Sequence, residues 1–358
     1  MQLMLKNEPV LLFIKNAEGL KLKKVINPEM IPIPLKRELN DDTFSEWLKG
    51  RSIPEDRVGF KEVKKLYGEK CFLSRNYASL TDQYWIQNRE EKWSKINFFT
   101  RKYDKTIGKA LFSPWEVECI RSQDSPDLTT SGLLRKRWKQ DDDTLKSKLI
   151  KAGSKAAGQE PLYEVLAAIL CERMGIKIAD YELCVEGFRM CVGCLNFIDE
   201  STELVTAKDV YYTEERPDDV SVDTHLLRMC DKFKIPGADR HIKDITVIDI
   251  LTGNTDRNLS NIGFIRNTDT LEFTGPAPIF DCGNAYGCVN SEEKADTLND
   301  PQKDLLKEYG KSVDLEAILK DNSLKDMIMD YPCLNTDEKK KLIKNMEERN
   351  NMVLSAIR

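Results

Sequence analysis

The sequence predicts an α+β fold with two lobes, a small β-rich lobe followed by a mainly helical lobe, and a small mixed α/β domain in front of them. Three observations predict it. Short apolar runs separated by turn residues dominate residues 123–200. Segments of helical period dominate residues 201–358, and residues 1–122 mix both patterns. A chain of 358 residues is long enough for two or three domains of this kind.

The composition is that of an ordinary globular protein. Hydrophobic residues make up 41% of the chain, charged residues 32%, and the formal net charge is −5. These values favour neither a disordered chain nor a strongly basic nucleic-acid-binding surface. The apolar run at residues 10–14 is too short for a signal peptide or a membrane span. We therefore expect a cytoplasmic protein that contacts no membrane and binds no nucleic acid directly.

The cysteines and histidines limit the kinds of catalytic and metal site that the chain can form. The ten cysteines follow no secreted-framework spacing, which favours reduced thiols. Cys191 and Cys194 form a C-x-x-C pair without a second pair nearby, so a zinc site is not favoured. The two histidines, His225 and His241, are too few for histidine-based metal catalysis and make a Ser-His-Asp hydrolase unfavourable. Any chemistry should therefore rest on carboxylates, amides, lysine and arginine.

The N-terminal segments mix strands and helices. The stretch "VLLFIKNAEGLKLKKVIN" predicts two strands joined by a turn at residues 16–19. Thr43 and Glu46 have capping-box spacing and predict a helix start. We expect four aromatic residues, Trp85, Trp93, Phe98 and Phe99, to lie in a core. The basic run "LLRKRWK" predicts a solvated strand or hairpin face. The composition shift at residues 121–132 predicts a domain boundary.

The rest of the chain alternates strand, helix and hairpin signals. A strand is predicted around residues 149–150, and a helix follows from Pro161 to Gly175. Further strands are predicted at 181–185 and 188–194. A second apolar helix ends at Gly253, and a hairpin at 262–265 and 271–273 turns over "RNTDT". Polar-faced helices are predicted around residues 301–330 and 336–356.

Five features whose residues are suited to catalysis follow one another along these elements. They are the small-residue turn "SPDLTTSG", Lys151 on a strand, Glu164 on a helix, the loop "NTDRNLSN", and "PIFDCG". Taken alone, each is more often a turn or a solvated charge. Their order matches the parts that phosphoryl transfer requires: a turn over the phosphates, a lysine with its glutamate, a base, and oxygen ligands for Mg²⁺. The order of helix, D-x-x-x-x-N loop, hairpin and D-x-G is that of the C-terminal lobe of a bilobal protein-kinase-like fold.

At these residues the sequence resembles the HipA-like kinases, which are bacterial Ser/Thr protein kinases distantly related to eukaryotic and phosphoinositide kinases. The loop of that family reads "GNTDxHxxNFG" and is followed by "P-x-x-D", and this chain has "GNTDRNLSNIGF" and "PIFDCG". The resemblance covers about residues 125 to 290. The stretches "WLKGRSIPEDR", "SLTDQYWI" and "INFF" are also similar to the N-terminal region of HipA-like proteins from Gram-positive bacteria.

The resemblance implies Mg-ATP-dependent phosphoryl transfer to Ser or Thr of a protein substrate. It makes Asp256 the catalytic base, with Asn261 and Asp281 as magnesium ligands. Lys151 would contact the phosphates, with Glu164 as its partner. The residues that would surround the nucleotide are Thr129, Thr130, Ser131 and Gly132 in the phosphate turn, and Asn196 and Phe197 near the hinge that binds adenine.

One departure from the family concerns the catalytic loop. Asn258 stands where the family usually has histidine, and Asn cannot carry the charge that would help neutralise a transferring phosphoryl group. Arg257 is the neighbouring residue that could substitute. Asp249, on the preceding helix, is interpreted as a hydrogen-bond anchor for the loop. The hydroxyls of residues 129–131 either line the phosphate turn or are sites of self-inhibiting autophosphorylation.

Two other functions stay open at this stage. One is a pseudokinase-like module that binds nucleotide and acts through a partner surface, and the other is a kinase that acts on a small molecule or a lipid. The resemblance also implies an antitoxin or another partner protein. The sequence names no substrate.

Overall fold

The computed structural model describes residues 1–154, 158–286 and 297–358. The strands are β1 (Gln2–Leu5), β2 (Glu8–Asn16), β3 (Gly19–Val25), β4 (Tyr84–Gln87), β5 (Lys136–Gln140), β6 (Ser147–Ala152), β7 (Tyr181–Glu186), β8 (Arg189–Leu195), β9 (Thr202–Thr206), β10 (Gly263–Asn267) and β11 (Phe273–Pro276). The α-helices are α1 (Asp41–Gly50), α2 (Phe60–Tyr67), α3 (Trp93–Ile96), α4 (Thr106–Phe112), α5 (Glu160–Arg173), α6 (Ala207–Tyr211), α7 (Val222–Lys232), α8 (Ala238–Thr252), α9 (Asp300–Gly310), α10 (Leu315–Lys320), α11 (Ser323–Asp330) and α12 (Thr336–Ile357).

The described residues form two compact units, each built from separated stretches of chain. The first unit comprises Met1–Lys151, Leu195–Pro236 and Gly263–Ala277, and the second comprises Ala152–Cys194, Gly237–Ile262 and Pro278–Arg358. The mixed α and β content with several antiparallel sheets agrees with the predicted α+β class. The division at residues 122 and 200 stays a prediction.

The N-terminal part of the first unit is an antiparallel sheet in the order β3-β2-β1-β4. The turn predicted at residues 16–19 is confirmed, and Gly19 takes a φ of 121° that other residues rarely adopt. Leu3 and Leu5 of β1 and Leu11 and Phe13 of β2 are buried in one core with Phe44 of α1. Met4, between Leu3 and Leu5, is buried in a second core with Trp85, so β1 is covered on both faces.

Helix α1 begins earlier than the capping pattern predicted. Its N-cap is Asn40, whose side-chain oxygen accepts from the Thr43 amide at 2.8 Å, while the Thr43 hydroxyl accepts from the Asn40 amide at 3.0 Å. Thr43 is therefore the third helical residue rather than the cap. Asparagine at this position satisfies an amide that the first turn leaves without a partner.

The basic run at residues 133–139 is only partly solvated, contrary to the prediction. Arg137 and Trp138 on β5 are 3% and 5% exposed. Trp138 packs in one core with Trp85, Trp93 and Phe98, and Phe99 packs against that core. The aromatic residues thus have the core role that was predicted. Arg137 and Trp138 are adjacent and therefore point to opposite faces of β5, so both faces of the strand are covered at this point.

The first unit also contains the predicted hairpin. β10 pairs with β11 and with β9, both antiparallel, in the order β11-β10-β9. Arg266 of β10 is buried in an ion pair with Glu203 of β9 and donates to the Tyr84 hydroxyl at 3.0 Å. A buried charge needs such partners.

In the second unit α5 packs against β7 and α8, and α12 packs against α8, α9, α10 and α11. Helix α5 and its stop at Gly175 are confirmed, and α8 ends at Gly253 as predicted. His241 on α8 is buried, as are Cys191 and Cys194 on β8, and His225 on α7 is buried in the first unit. None of the described helices is long and apolar enough to span a bilayer.

Candidate active site

Helix α8 presents the loop at residues 254–261. The helix buries Ile245, Ile248 and Leu251 and stops at Gly253, whose φ of +66° is left-handed. A Cβ at Gly253 would lie 3.0 Å from the Arg349 guanidinium. Glycine therefore serves both the helix stop and the close contact.

Short hydrogen bonds fold the loop on itself. The Asn254 side chain accepts from the Asp256 amide at 3.2 Å. The Asn258 side chain accepts from the Ser260 amide at 2.9 Å and donates to the Asp256 carbonyl at 3.2 Å. These are Asx turns. They leave the Asp256 side chain exposed and commit both polar atoms of Asn258 to local contacts.

Arg257 points into the protein and not toward solvent. Its Nε lies 2.9 Å from Asp249 Oδ2, and its Nη2 lies 3.0 Å from Asp249 Oδ1 and 3.1 Å from Cys282 Sγ. Its Nη1 donates to the Asn261 carbonyl at 2.9 Å and to the Phe280 carbonyl at 2.8 Å. The expectation that Arg257 replaces a catalytic cation is therefore corrected, because the guanidinium is already occupied by protein acceptors.

The Asp249–Arg257 pair is largely removed from water, with side chains 15% and 10% exposed. Burial raises the pKa of Asp249, and the hydrogen bonds from Arg257 and Asn254 act in the opposite direction. Burial on its own lowers the pKa of Arg257, but Asp249 and the other acceptors outweigh it and the net pKa is raised. Asp249 also accepts from Asn254 Nδ2 at 3.0 Å. The predicted role of Asp249 as an anchor of the loop is confirmed.

Two consecutive amides hold the segment that carries Asp281. The Asp281 amide donates to the Tyr181 hydroxyl at 3.1 Å, and the Cys282 amide donates to Glu164 Oε2 at 2.8 Å. Asp281 has a φ of +61° and an exposed side chain. A left-handed aspartate is uncommon and persists where neighbouring contacts fix it. The contacts on both amides therefore fix the backbone from which this carboxylate projects.

Tyr181 was not found by sequence reasoning. Its strand is placed beside residue 279 by a parallel bridge between Ile178 and Ile279 and by a 2.9 Å bond from the Ala179 amide to the Ile279 carbonyl. Burial and the nearby Glu164 raise the pKa of Tyr181 well above its ordinary value, so the phenol stays protonated. Glu164 itself is 2% exposed. Its pairing with Lys151, on β6 in the first unit, stays a prediction.

The phosphate turn of the first unit differs from the prediction at two hydroxyls. Thr129 donates to the Ala78 carbonyl at 2.8 Å, and Thr130 donates to the Pro126 carbonyl at 3.0 Å. Both side chains are buried. Ser131 is exposed, and Gly132 has a φ of +91°. The hydroxyls of Thr129 and Thr130 therefore stabilise the turn from within and do not line its surface.

Asp127 fixes the start of this turn. Its Oδ1 accepts from the Trp138 amide at 2.7 Å, and its Oδ2 accepts from the Ser125 hydroxyl at 3.1 Å. Asp127 is fully buried, and burial raises its pKa to about 6 in spite of these bonds and the neighbouring Arg137 and Arg57.

This shift predicts how stability depends on pH. A carboxyl whose folded pKa is raised favours folding most below its unfolded pKa, and that contribution is lost as the pH rises through about 6. Relative to Asp127→Asn, the wild type should lose up to about 3 kcal/mol of unfolding free energy between pH 4 and pH 7. The first unit contains all five tryptophans, at positions 47, 85, 93, 115 and 138. Urea unfolding followed by tryptophan fluorescence therefore measures the unfolding free energy of this unit at each pH. Parallel pH curves for the two proteins would contradict the prediction.

The segment predicted as the hinge is fixed to its neighbours. The Asn196 amide donates to the Ser147 carbonyl at 2.9 Å, and Asn196 Nδ2 donates to the Leu80 carbonyl at 3.0 Å. Phe197 is partly buried. The Asn196 side chain is thus committed to structure, and the adenine contact through the backbone of residues 196–197 stays a prediction.

The donor chemistry near the loop fits a hard cation. Asp256, Asn261 and Asp281 offer carboxylate and amide oxygens, which suit Mg²⁺. Within the part of the chain that the structure describes, no group of three or more His, Cys, Asp or Glu side chains could hold a metal ion. Two protein ligands completed by substrate oxygens and water are the arrangement that Mg²⁺ commonly takes with nucleotides.

Comparison with known proteins identifies solved structures with a similar fold. No family model and no curated protein matches the sequence. A structure of the Shewanella oneidensis MR-1 toxin–antitoxin system HipA, HipB and its operator DNA is 14% identical, with a TM-score of 0.58, and the match covers 99% of this chain and 96% of that chain. A structure of the Helicobacter pylori proinflammatory kinase CtkA is 20% identical, with a TM-score of 0.49, and the match covers 62% of this chain and 92% of that chain.

The match to the Shewanella structure extends over nearly the whole chain, so it concerns residues 1–122 as well as the segments that carry the motifs. At 14% identity it speaks for the fold and not for the chemistry. The resemblance predicted from the loop "GNTDRNLSNIGF" and from "PIFDCG" is therefore confirmed at the level of structure, and the chain has the fold of the HipA-like kinases.

Proposed function

We propose that this chain is a Mg-ATP-dependent Ser/Thr protein kinase of HipA-like type. One observation carries the proposal. Arg257 Nη1 donates to the carbonyls of both Asn261 and Phe280, at 2.9 and 2.8 Å. A single nitrogen thus brings together the backbone of the two segments that bear the proposed metal ligands, Asn261 and Asp281. This link to a residue 23 positions away supports the proposal, because the two segments that bear Asn261 and Asp281 share one donor.

The residues of the second unit have distinct roles in this proposal. Asp256 accepts the proton from the acceptor hydroxyl as its oxygen bonds to the γ-phosphorus and ADP leaves. Asn261 and Asp281 hold Mg²⁺, which when bound neutralises charge on the phosphate oxygens. Arg257, Glu164 and Tyr181 position these side chains.

The residues of the first unit are proposed to hold the nucleotide. Lys151 offers its ammonium to the phosphates, and the backbone of Ser131 and Gly132 covers them. The backbone of residues 196–197 contacts adenine. The HipA structure above is a complex with HipB and operator DNA, and we extend only the protein partner to this chain, as an antitoxin-like regulator.

A second candidate function is a nucleotide-binding module without transfer activity. Asn258 supports it, because both of its polar side-chain atoms are bonded within the loop. Arg257 faces inward, so neither residue supplies a cation beside Asp256. Transfer would then proceed without that contribution to charge neutralisation.

A transfer assay separates the two functions. Binding of Mg²⁺ and radiolabelled ATP should raise the melting temperature of the protein in both cases. Radiolabel should be transferred to protein only if the chain is a kinase. Among the three hydroxyls of the phosphate turn we expect label at Ser131, because Thr129 and Thr130 are buried and bonded. Ser131→Ala should remove the label from this turn, and Thr130→Ala should retain it. Mass spectrometry that places phosphate on Thr130 would contradict this assignment.

A further inference from the structure

Arg57 contacts three consecutive carbonyls of the phosphate turn. It lies three residues before α2, in the N-terminal region for which the sequence resemblance implies no function. Its Nε donates to the Gly132 carbonyl at 2.9 Å, and its Nη2 donates to the Ser131 carbonyl at 2.9 Å and to the Thr130 carbonyl. Arg57 is 3% exposed. One buried guanidinium therefore fixes the direction of three successive peptide units.

The residues after Arg57 reinforce this contact. The Val58 amide donates to the Leu133 carbonyl at 2.9 Å. Gly59 has a φ of +82°, and a Cβ there would collide with the Arg135 guanidinium. Residues 57–59 thus pack against residues 130–135. A side chain at Gly59 would strain its left-handed backbone and displace the Arg135 guanidinium.

The orientation of the carbonyls determines where the amides point. In a planar trans peptide the N–H is directed opposite to the C=O. The amides of Ser131, Gly132 and Leu133, called the 131–133 amides below, therefore point away from Arg57. None of the three has a hydrogen-bond partner among the residues that the structure describes. Successive amides with a common direction form an anion-binding concavity.

A cation lies beside the same amides. Gly132 has a φ of +91°, and a Cβ there would collide with Lys136 Nζ. Glycine is favoured here by the left-handed turn, and its missing Cβ leaves the space that the ammonium occupies. Three amide donors and an ammonium at one turn suit an oxyanion.

We propose that Arg57 is the positioning residue that gives the phosphate turn its anion-binding form. It rests on the proposed function: the phosphate oxygens of ATP are the anion that the 131–133 amides receive. The N-terminal region then contributes to nucleotide binding indirectly, through a residue that positions the turn and itself contacts no nucleotide. Arginine suits this role, because its planar fork reaches several carbonyls at fixed angles and a lysine ammonium does not.

The charge of Arg57 persists in spite of burial. Burial lowers the pKa of Arg57 to about 10, with the Asp127 carboxylate acting in the opposite direction. The guanidinium therefore remains protonated at neutral pH. Asp127 and Arg57 hold the turn from its two ends, the first through the Trp138 amide and the second through the three carbonyls.

The experiment compares ATP with adenosine, which lacks the phosphates. Dissociation constants for Mg-ATP and for adenosine are measured by calorimetry on the full chain for the wild type, Arg57→Ala and Arg57→Lys. Arg51→Ala is the matched control. Arg51 lies in the same region and also donates to main-chain carbonyls, those of Tyr77 at 2.8 Å and Tyr84 at 3.1 Å, without contacting the phosphate turn.

We expect Arg57→Ala to weaken Mg-ATP binding about tenfold or more, since a mobile turn adopts the binding form only part of the time. Adenosine binding should change less than about twofold, and Arg57→Lys should fall between the wild type and Arg57→Ala. Equal weakening of both ligands, as a general loss of stability in Arg51→Ala would produce, overturns the proposal. So does unchanged binding of Mg-ATP.

A second measurement needs no ligand and separates this inference from the proposed function. Leu133 is 59% exposed, and chymotrypsin cleaves after leucine where the backbone is mobile. Cleavage after Leu133 should be about tenfold faster in Arg57→Ala than in the wild type or Arg51→Ala, because cleavage follows the population of the open turn. A wild type that binds no Mg-ATP refutes the proposed function, whereas unchanged cleavage in Arg57→Ala refutes the role of Arg57.

Discussion

Asp281→Asn is expected to lower phosphoryl transfer about a thousandfold, because a carboxylate that holds a catalytic metal contributes several kcal/mol to the transition state. The substitution removes the negative charge of the side chain and keeps its size. Asparagine tolerates the left-handed conformation, here a φ of +61°, and the backbone contacts to Tyr181 and Glu164 come from amides that the substitution keeps. The melting temperature without ligand should therefore stay close to that of the wild type.

The measurement is label transfer from ATP at several Mg²⁺ concentrations. Asp304→Asn is the matched control, since Asp304 is also an exposed carboxylate of the second unit, on α9. Asp256→Asn should lower the rate by about 10²–10⁴-fold through loss of the base, without a change in the Mg²⁺ requirement. A folded Asp281→Asn protein with undiminished activity would refute the metal role of this residue.

Arg257→Ala is expected to have the largest effect on stability. It removes every guanidinium contact to Asp249, Asn261, Phe280 and Cys282 at once. Asp249 is then left buried with Asn254 as its remaining side-chain donor. Breaking a buried ion pair by removing one partner typically costs about 3–5 kcal/mol. The segments that bear Asn261 and Asp281 also lose their common nitrogen, so transfer activity should fall even where the protein stays folded.

The pH dependence of this loss has a definite sign. Burial already raises the pKa of Asp249 in the wild type, and Arg257 acts against that rise. Without Arg257 the folded pKa rises further, so the carboxyl takes up a proton more readily in the folded state. The destabilisation should therefore be largest at neutral pH and should shrink as the pH falls toward the folded pKa of Asp249. Thermal unfolding followed by far-UV circular dichroism at several pH values measures it.

A double variant provides the control. Asp249→Asn combined with Arg257→Ala replaces both charges, and it should be more stable at neutral pH than Arg257→Ala alone, because no charge remains unpaired. The pH dependence should disappear in the double variant. If Arg257→Ala unfolds at the same temperature as the wild type, the ion pair does not hold the loop and Asp249 is not its anchor.

Much of the fold was predictable because its signals are local. The hairpin at Asn16–Gly19, helix α5 with its stop at Gly175, and helix α8 with its stop at Gly253 all rest on periodicity and glycine positions within a few residues. The prediction of a solvated basic run was wrong at Arg137 and Trp138, because charge alone does not tell which face of a strand meets the core. Thr43 was misplaced at the cap, because Asn40 lies three residues earlier and serves better.

Some residues of the candidate site could be identified from the sequence and others could not. Asp256, Asn261 and Asp281 were identified from spacing and resemblance, and their roles stay proposals. Tyr181 could not be identified, since it lies 100 residues from the amide it contacts and belongs to no motif. Arg57 ends the stretch "WLKGRSIPEDR" that resembles the family, but its contact with Gly132, 75 residues away, follows from no local pattern.

The order of the elements, the turns and the loop that carries Asp256 follow from the amino-acid sequence, since each depends on neighbours within one or two turns of chain. The direction of a side chain does not follow from it. Arg257 stands beside Asp256 in the sequence, yet it turns inward because Asp249, Phe280 and Cys282 supply acceptors there. Arg57 likewise reaches the phosphate turn only once the N-terminal region has packed against it. Buried charges bind the partners that the tertiary structure brings to them, and no local pattern records where those partners are.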